Sequence, residues 1–167
     1  MLKIVSAVVI GMFILGCSSQ NSMNVSNAMF QSVNKEDATL VQEGEKKGYC
    51  VRCGMDLVKF YKTSHAATYE GKNYQYCSIH CFEEHLGEGI ELKNPKVVDV
   101  ASLKFIDVNR AYYVVGSSKR GTMSKVSKYA FLNEADAKKF QAEFGGEIMD
   151  FNKAREIAKE DFKHYGH

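Results

Sequence analysis

Short apolar and aromatic runs, each bounded by turn or helix-breaking residues, recur along the chain from residue 65 onward. Runs of this length that are rich in Val, Ile, Tyr and Phe are typical of β-strands. Glu70-Gly71-Lys72 separates the first two runs and favours a hairpin turn. The pattern predicts strands over residues 65–69, 73–77, 97–100, 103–108, 111–115, 126–131 and 147–151.

The pattern also predicts three helices between or after these strands. Ser78 is a favourable N-cap for a helix over residues 79–86, which Gly87 ends. Asn133 is a favourable N-cap for a helix over residues 134–144, and two glycines follow it. A third, amphipathic helix at the C-terminus is indicated by Ala154, Ile157, Ala158, Phe162 and Tyr165.

The order strand, strand, helix, strand occurs twice, which indicates an α+β fold of two small tandem ββαβ-type units with a C-terminal helix. A short motif that ends in methionine lies near the start of each unit: Cys53-Gly54-Met55 and Gly121-Thr122-Met123. We interpret this as a weak internal duplication. The first, cysteine-rich unit is assigned to residues 49–108 and the second to residues 109–167.

The N-terminal apolar run is typical of a secretory signal. Residues 4–15 follow Lys3 and are too few to span a bilayer comfortably. The run ends at Ile14-Leu15-Gly16-Cys17, which is typical of a bacterial lipobox. Residues 1–16 are therefore predicted to be cleaved and Cys17 to carry lipid, with a transmembrane anchor as the alternative.

Residues 17–48 are predicted to be a lipidated, flexible tether, because their first half is rich in Ser, Asn and Gln. Such a tether would let the folded part reach away from the membrane. Ser18, rather than Asp, follows the lipidated cysteine, which favours the outer membrane. We therefore expect a membrane-anchored lipoprotein that faces the periplasm.

Composition adds one strong hint about chemistry. The net charge of +2 gives no reason to expect nucleic acid as a partner. The sequence has no recognisable pair of nucleophile and base and no phosphate-binding loop, so we do not expect an enzyme. Five cysteines and seven methionines supply soft sulfur ligands, which favour soft metal ions.

Four cysteines remain beyond the lipobox, as Cys50-Val51-Arg52-Cys53 and Cys77-Ser78-Ile79-His80-Cys81. The second pair straddles a predicted helix start, where the helix dipole favours a thiolate at Cys81. Two loop-and-helix pairs are typical of a zinc site of four cysteines, in which His80 could replace Cys81. Two disulfides are an alternative in an oxidising compartment, and a thiol-redox pair at Cys77 and Cys81 is a third.

Three other residues are candidate ligands. Met55 lies two residues after Cys53, and the glycine between them lets both sulfurs face one ion, although filling a core gap is the commoner role of methionine. Thioethers favour Cu(I) over Zn²⁺. Met123 is flanked by polar residues and glycine, which predicts an exposed, mobile loop. His65 could supply a nitrogen ligand, or could be an ordinary surface histidine.

The sequence resembles the NosL family, the accessory lipoproteins of nitrous-oxide reductase. The lipobox and Cys53-Gly54-Met55 match the family pattern, as does Ala111-Tyr112-Tyr113-Val114-Val115-Gly116-Ser117-Ser118 with the following Arg120-Gly121-Thr122-Met123. The resemblance extends over most of residues 50–152. Cys50, Cys77 and Cys81 are extra to the simplest family pattern, and the segment around the second cysteine pair resembles TRASH or YHS metal-binding modules.

The resemblance implies a periplasm-facing Cu(I) carrier that delivers copper to the copper–sulfur centre of nitrous-oxide reductase, together with an ABC-type maturation complex in the membrane. It implies Cys53 and Met55 as copper ligands and Met123 as a third ligand from the second unit. The secondary candidates are Cys50, Cys77, Cys81, His65 and His80. A zinc-stabilised interaction module is the alternative function, and a thiol oxidoreductase is the third.

Overall fold

The computed structural model describes residues 29–164, so the predicted signal, Cys17 and Tyr165 lie outside the described residues. Within this range, no helix combines the length and the apolar composition needed to cross a bilayer. The chain forms, in order, β1 (His65–Tyr69), β2 (Lys72–Tyr76), α1 (Ile79–Gly87), β3 (Lys93–Val98), β4 (Phe105–Asp107), β5 (Tyr112–Val115), β6 (Lys128–Phe131), α2 (Glu134–Phe144), β7 (Glu147–Met149) and α3 (Phe151–His164).

The first unit contains an antiparallel sheet with the strand order β2-β1-β3-β4. Glu70 and Gly71 join β1 to β2 with φ angles of 48° and 75°, as a two-residue hairpin turn of type I′ requires. The register places His65 opposite Tyr76. Cys77, the next residue, therefore leaves the sheet at the edge where β1 begins.

The second unit repeats this arrangement with a three-stranded sheet in the order β6-β5-β7. In each unit the first strand lies between the second and the third, and every pair is antiparallel. This confirms the predicted α+β fold of two ββαβ-type units followed by a helix. The shared strand order supports the interpretation of an internal duplication.

Several predicted bounds differ from the structure by one or two residues, and the differences at β3 and at the end of β7 have a local cause. β3 begins at Lys93 and runs through Asn94 and Pro95, whereas the strand was expected to start at residue 97. The pairing with β1 is irregular at this point, which accommodates a proline that has no N–H to donate. Phe151 begins α3 rather than ending β7, because the apolar run of the strand passes directly into the helical periodicity that follows.

Both units contribute to one hydrophobic core. Tyr76, Phe82 and Val97 of the first unit lie in the same buried cluster as Tyr113 and Phe151 of the second. Helix α3 packs against α1, so the C-terminal helix covers the first unit. The two units therefore share one buried cluster, and a second cluster around Tyr129 and Phe140 lies within the second unit.

Residues 29–48 correct the predicted tether of residues 17–48, because they contact both units. Phe30 lies edge-to-face on Tyr129, with ring centroids 5.2 Å apart. The buried Gln31 side chain donates a hydrogen bond of 2.7 Å to the carbonyl of Arg120. Further along, the N–H of Thr39 donates to the hydroxyl of Tyr61 at 2.9 Å. The average composition of the segment does not reveal single anchoring side chains. The prediction of a tether relied on that composition and therefore did not identify these contacts.

We expect Phe30→Ala to lower the free energy of unfolding by about 2 kcal/mol, because it removes a ring from a cluster with Tyr129, Phe140 and Phe144. Urea unfolding followed by circular dichroism measures the effect. Phe30→Leu is the matched control and should cost less, since it keeps most of the apolar volume. A loss below about 0.5 kcal/mol for Phe30→Ala would mean that this segment is a tether after all.

Candidate metal centre

The four cysteines of the folded part meet in one place. The sulfur atoms of Cys50, Cys53, Cys77 and Cys81 all lie within 4.8 Å of one another. The Sγ atom of Cys77 is 3.5 Å from that of Cys53 and 3.7 Å from that of Cys81. These distances are too long for disulfide bonds, and all four are free thiols. The structure thus brings three secondary candidates together with the first-ranked Cys53.

A tight backbone loop presents the first pair. The N–H of Cys50 donates to the carbonyl of Met55 at 2.8 Å, and the N–H of Gly54 donates back to the carbonyl of Cys50 at 2.9 Å. Gly54 has a φ of 72°, which a residue with a Cβ adopts only with strain. The loop therefore turns back on itself, so that Cys50 is buried while Cys53 lies at the surface.

The second pair is held by the junction between β2 and α1. Cys77 is the last residue before the N-cap Ser78, and Cys81 lies in the first turn of α1. Residues four apart at a helix start project from the same side, so both sulfurs face the first pair. The Thr63 hydroxyl donates to the carbonyl of Cys77 at 2.8 Å, which fixes the backbone there. Both cysteines are fully buried.

Arg52, inside the first pair, ties the loop to α1, a role that the sequence analysis missed. Its guanidinium binds the carboxylate of Glu88 at 2.5 Å and that of Glu84 at 3.6 Å. Glu84 and Glu88 lie four residues apart and share one face of the helix end. The spacing of the two glutamates indicates a shared acidic face, but it does not show which basic residue binds there.

Met55 adds a fifth sulfur to the four thiols, and we call this set of five the sulfur cluster. The Sδ atom of Met55 lies 3.9 Å from the Sγ atom of Cys77. Met55 is also partly buried against the hydrophobic core. Met55 therefore packs against the core and also lies beside the thiols, a position that fits both interpretations of the sequence.

Met123 lies in a loop that reaches the first unit next to the cluster. The hydroxyls of Thr122 and Thr63 are 2.8 Å apart, and Thr63 in turn donates to the carbonyl of Cys77. Ser124, on the other side, donates to the Asp161 carboxylate at 2.5 Å. Met123 itself is 45 % exposed and has a φ of 56°. The residues on both sides of Met123 are thus hydrogen-bonded, and the side chain between them is exposed as the sequence predicted.

The two candidate histidines lie outside the four-thiol group. His65 is buried, with Nδ1 3.1 Å from the carbonyl of Thr63 and Nε2 3.1 Å from the hydroxyl of Tyr113. The hypothesis of a surface histidine at position 65 is therefore wrong, and both ring nitrogens have partners away from the thiols. At the second pair, the group of four contains Cys81 and does not include His80.

The thiols do not ionise independently, because their sulfurs contact one another. Contacts with the other three thiols, Cys53 above all, hold the pKa of Cys50 far below its usual range. For Cys53, the contact with Cys50 raises the pKa, but contacts with the second pair lower it, and the pKa falls to about 7. Contacts with Cys50 and Cys53, together with burial, raise the pKa of both thiols of the second pair.

Two effects oppose each other at Cys81. The dipole of helix α1 favours a thiolate there, whereas contacts with the neighbouring thiols and burial raise the pKa of Cys81 and favour its protonated form. A cation bound among the sulfurs would reverse the preference, because coordination deprotonates thiols.

Burial lowers the pKa of His65 to about 4 from its ordinary value of 6.5, and its contact with the Thr63 carbonyl offsets this only in part. The His65 imidazole therefore binds a proton near pH 6.5 in the unfolded chain, but only near pH 4 in the folded chain. We expect stability to be full above pH 6.5 and to fall by about 3 kcal/mol as the pH drops towards 4.

Urea unfolding between pH 7.5 and pH 4 tests this expectation. His65→Gln is the control, because it has no titrating ring and should show a shallower loss over the same window. Parallel curves for the two proteins would contradict the assignment of this acid sensitivity to His65.

Comparisons with known proteins agree with this architecture. The family model described as NosL matches residues 41–160, which is more than half of the chain. The crystal structure of the copper chaperone NosL from Shewanella denitrificans is similar, with a TM-score of 0.54 and 24 % sequence identity. The match covers 66 % of this chain and 92 % of that chain. This likeness shows a shared fold. No curated protein sequence gave a significant match.

Proposed function

Because the chain belongs to the NosL family, we propose that it is a carrier that binds Cu(I) in its sulfur cluster and passes the ion to a partner protein. The structurally similar protein from Shewanella denitrificans is a copper chaperone, which supports this proposal. A carrier needs ligands and an exit but no catalytic groups. The function is therefore binding and transfer, and not catalysis.

One observation carries the proposal: five sulfurs are gathered in one cluster, and one of them, Cys53, lies at the surface. Thiolates and thioethers are soft ligands, which favour Cu(I). The buried thiols shield the ion from water, while Cys53 and Met55 form the outer side from which an incoming ligand can approach. Cu(I) is here the cargo of the protein.

Met123 is the proposed ligand from the second unit. Its loop is anchored at Thr122, whose hydroxyl connects through Thr63 to the backbone of Cys77. A methionine held with a positive φ is strained, and such strain is concentrated at functional sites. In a copper-bound structure, the sulfur of Met123 should lie within bonding distance of the ion, and a remote sulfur would end this part of the proposal.

The recipient we propose is the copper–sulfur centre of nitrous-oxide reductase, with an ABC-type maturation complex as the membrane partner. This proposal rests on the family resemblance. Transfer of Cu(I) from the loaded chain to the copper-depleted enzyme, followed by the return of enzyme activity, is the test. Activity restored equally well by free Cu(I) would argue against a dedicated carrier.

We also propose that Cys17 carries lipid and anchors the chain in the outer membrane, facing the periplasm. Cys17→Ser should release a soluble periplasmic protein or leave an uncleaved precursor, because the processing enzymes need the cysteine. Fractionation and intact-protein mass spectrometry measure both outcomes. A normally cleaved, membrane-bound Cys17→Ser product would show that another segment provides the anchor.

A zinc-stabilised module is the second candidate function, and the thiol geometry favours it. Tetrahedral zinc with metal–sulfur bonds of about 2.3 Å places its sulfurs about 3.8 Å apart. The observed separations of 3.5 and 3.7 Å around Cys77 are close to this value. Such an ion would hold the first unit together without being transferred.

Metal analysis of anaerobically purified protein decides between the two functions. The carrier should bind stoichiometric Cu(I) and release it to a soft chelator, and treatment with a thiol-blocking reagent beforehand should prevent loading. Zinc that Cu(I) does not displace would establish the structural module instead. The blocked protein is the matched control, since it has the same sequence.

A further inference from the structure

Cys77 occupies the middle of the sulfur cluster. Its Sγ atom lies 3.5 Å from Cys53, 3.7 Å from Cys81 and 3.9 Å from the Sδ atom of Met55. Cys50 completes the group within 4.8 Å. Sulfurs that share an ion with bonds of about 2.3 Å lie about 4 Å apart, so Cys77 can share one ion with its outer neighbours and another with its inner ones.

The number of sulfurs exceeds what one Cu(I) ion needs. Cu(I) has a filled d shell and no preference for a high coordination number, and two or three sulfurs satisfy it. We infer that the cluster holds two Cu(I) ions, bridged by the thiolate of Cys77. The inference rests on the proposed function, because it specifies how many ions the copper site takes.

The two ions differ in their surroundings. The outer ion is bound by Cys53, Met55 and the bridging Cys77, on the side where a thiol reaches the surface. It is this outer ion that Met123, the ligand proposed above from the second unit, would join. The inner ion is bound by Cys50, Cys81 and the same Cys77, all of them buried. The outer ion is therefore the exchangeable one, and the inner ion keeps the cluster assembled after transfer.

Charge favours the second ion. If all four cysteines were thiolates around a single Cu(I), three negative charges would remain in a largely buried site, which is costly without compensation. A second Cu(I) reduces this to two, the same charge as on a zinc ion with four thiolates. The start of helix α1 provides further positive potential at the second cysteine pair. The protons displaced from the thiols pass to the solvent.

The primary test measures how many Cu(I) ions the chain binds. The protein used carries Cys17→Ser, which removes the predicted lipid-attachment site, and it keeps the whole sulfur cluster. Anaerobic Cu(I) titration against a chromophoric chelator, with native mass spectrometry at each point, should show two bound ions per chain in successive steps. X-ray absorption of the fully loaded protein should show a copper–copper scattering path. A plateau at one ion, with no such path, would overturn the inference but leave the carrier function standing.

Variants locate the two ions. Cys81→Ala removes an inner ligand and should reduce the plateau to one ion, and the double variant Cys53→Ser/Met55→Leu should also leave one ion, bound inside. Cys77→Ser removes the bridge and should leave one ion or none, with circular dichroism as the check that the chain still folds. Met149→Leu removes a sulfur outside the cluster and should retain two. Two ions in Cys77→Ser would overturn the inference, whereas no copper in the wild type would overturn the proposed function itself.

Discussion

Cys53→Ser is expected to weaken binding of the outer, exchangeable Cu(I) ion by ~100-fold or more, which corresponds to about 2.7 kcal/mol of binding free energy. A thiolate donates a full negative charge to the ion, whereas a serine hydroxyl is a hard and weakly coordinating ligand. The contact with Cys50 raises the pKa of Cys53, but contacts with the second pair lower it to about 7, so this thiol ionises more readily than an ordinary cysteine. Its loss therefore removes a readily ionised ligand from the exposed side of the cluster.

Met55→Leu should cost less, about tenfold, because a thioether contributes a soft dipole without charge. Leucine preserves the apolar volume that Met55 fills against the core, so the fold should be unchanged. Competitive Cu(I) titration of both variants beside the Met149→Leu control measures the difference. Equal and small losses of affinity for Cys53→Ser and Met55→Leu would show that Cys77 and Cys81 bind the exchangeable ion without them.

Lys128→Met should destabilise the fold by about 3 kcal/mol, because it leaves a largely buried carboxylate without its cation. The Nζ atom of Lys128 lies 2.7 Å from the Oδ2 atom of Asp161, and the two side chains are only 3 % and 12 % exposed. Lys128 also donates to the Ser124 hydroxyl at 3.1 Å. The pair thus fastens α3 to the loop that carries Met123, and its loss should loosen that loop.

Chemical unfolding of three proteins tests this prediction. The double variant Lys128→Met/Asp161→Leu should recover most of the stability, since an apolar pair replaces a buried charge pair at little cost. Lys138→Met is the control: its ion pair with Glu134 is exposed, so the change should be within about 0.5 kcal/mol. A loss of that small size for Lys128→Met would mean that the buried pair contributes little.

Local sequence was sufficient for the elements of this fold. The hairpin of β1 and β2 was predicted to within one residue, because its turn residues are encoded at the turn itself. The bounds of α2 were predicted in full, from a capping residue and a pair of terminal glycines. Turn residues and helix caps act over only a few residues, so their effect does not depend on how the elements pack.

Tertiary packing decided the metal centre. The sequence offered two cysteine pairs, but Cys53 and Cys77 are 24 positions apart, and only the closure of the loop onto α1 brings their sulfurs to 3.5 Å. Packing likewise buried His65, which polar character alone would leave at the surface, and recruited Phe30 from a segment with the composition of a linker.

By itself, therefore, the sequence determined the repeated ββαβ order and the supply of soft ligands, because periodicity, capping and residue type are local properties. It could not determine which ligands meet, because a distance between side chains far apart in the chain is set by how whole elements pack. Only the tertiary structure shows that Cys50, Cys77 and Cys81 lie in one group with Cys53. It also places Cys77 at the centre of the cluster.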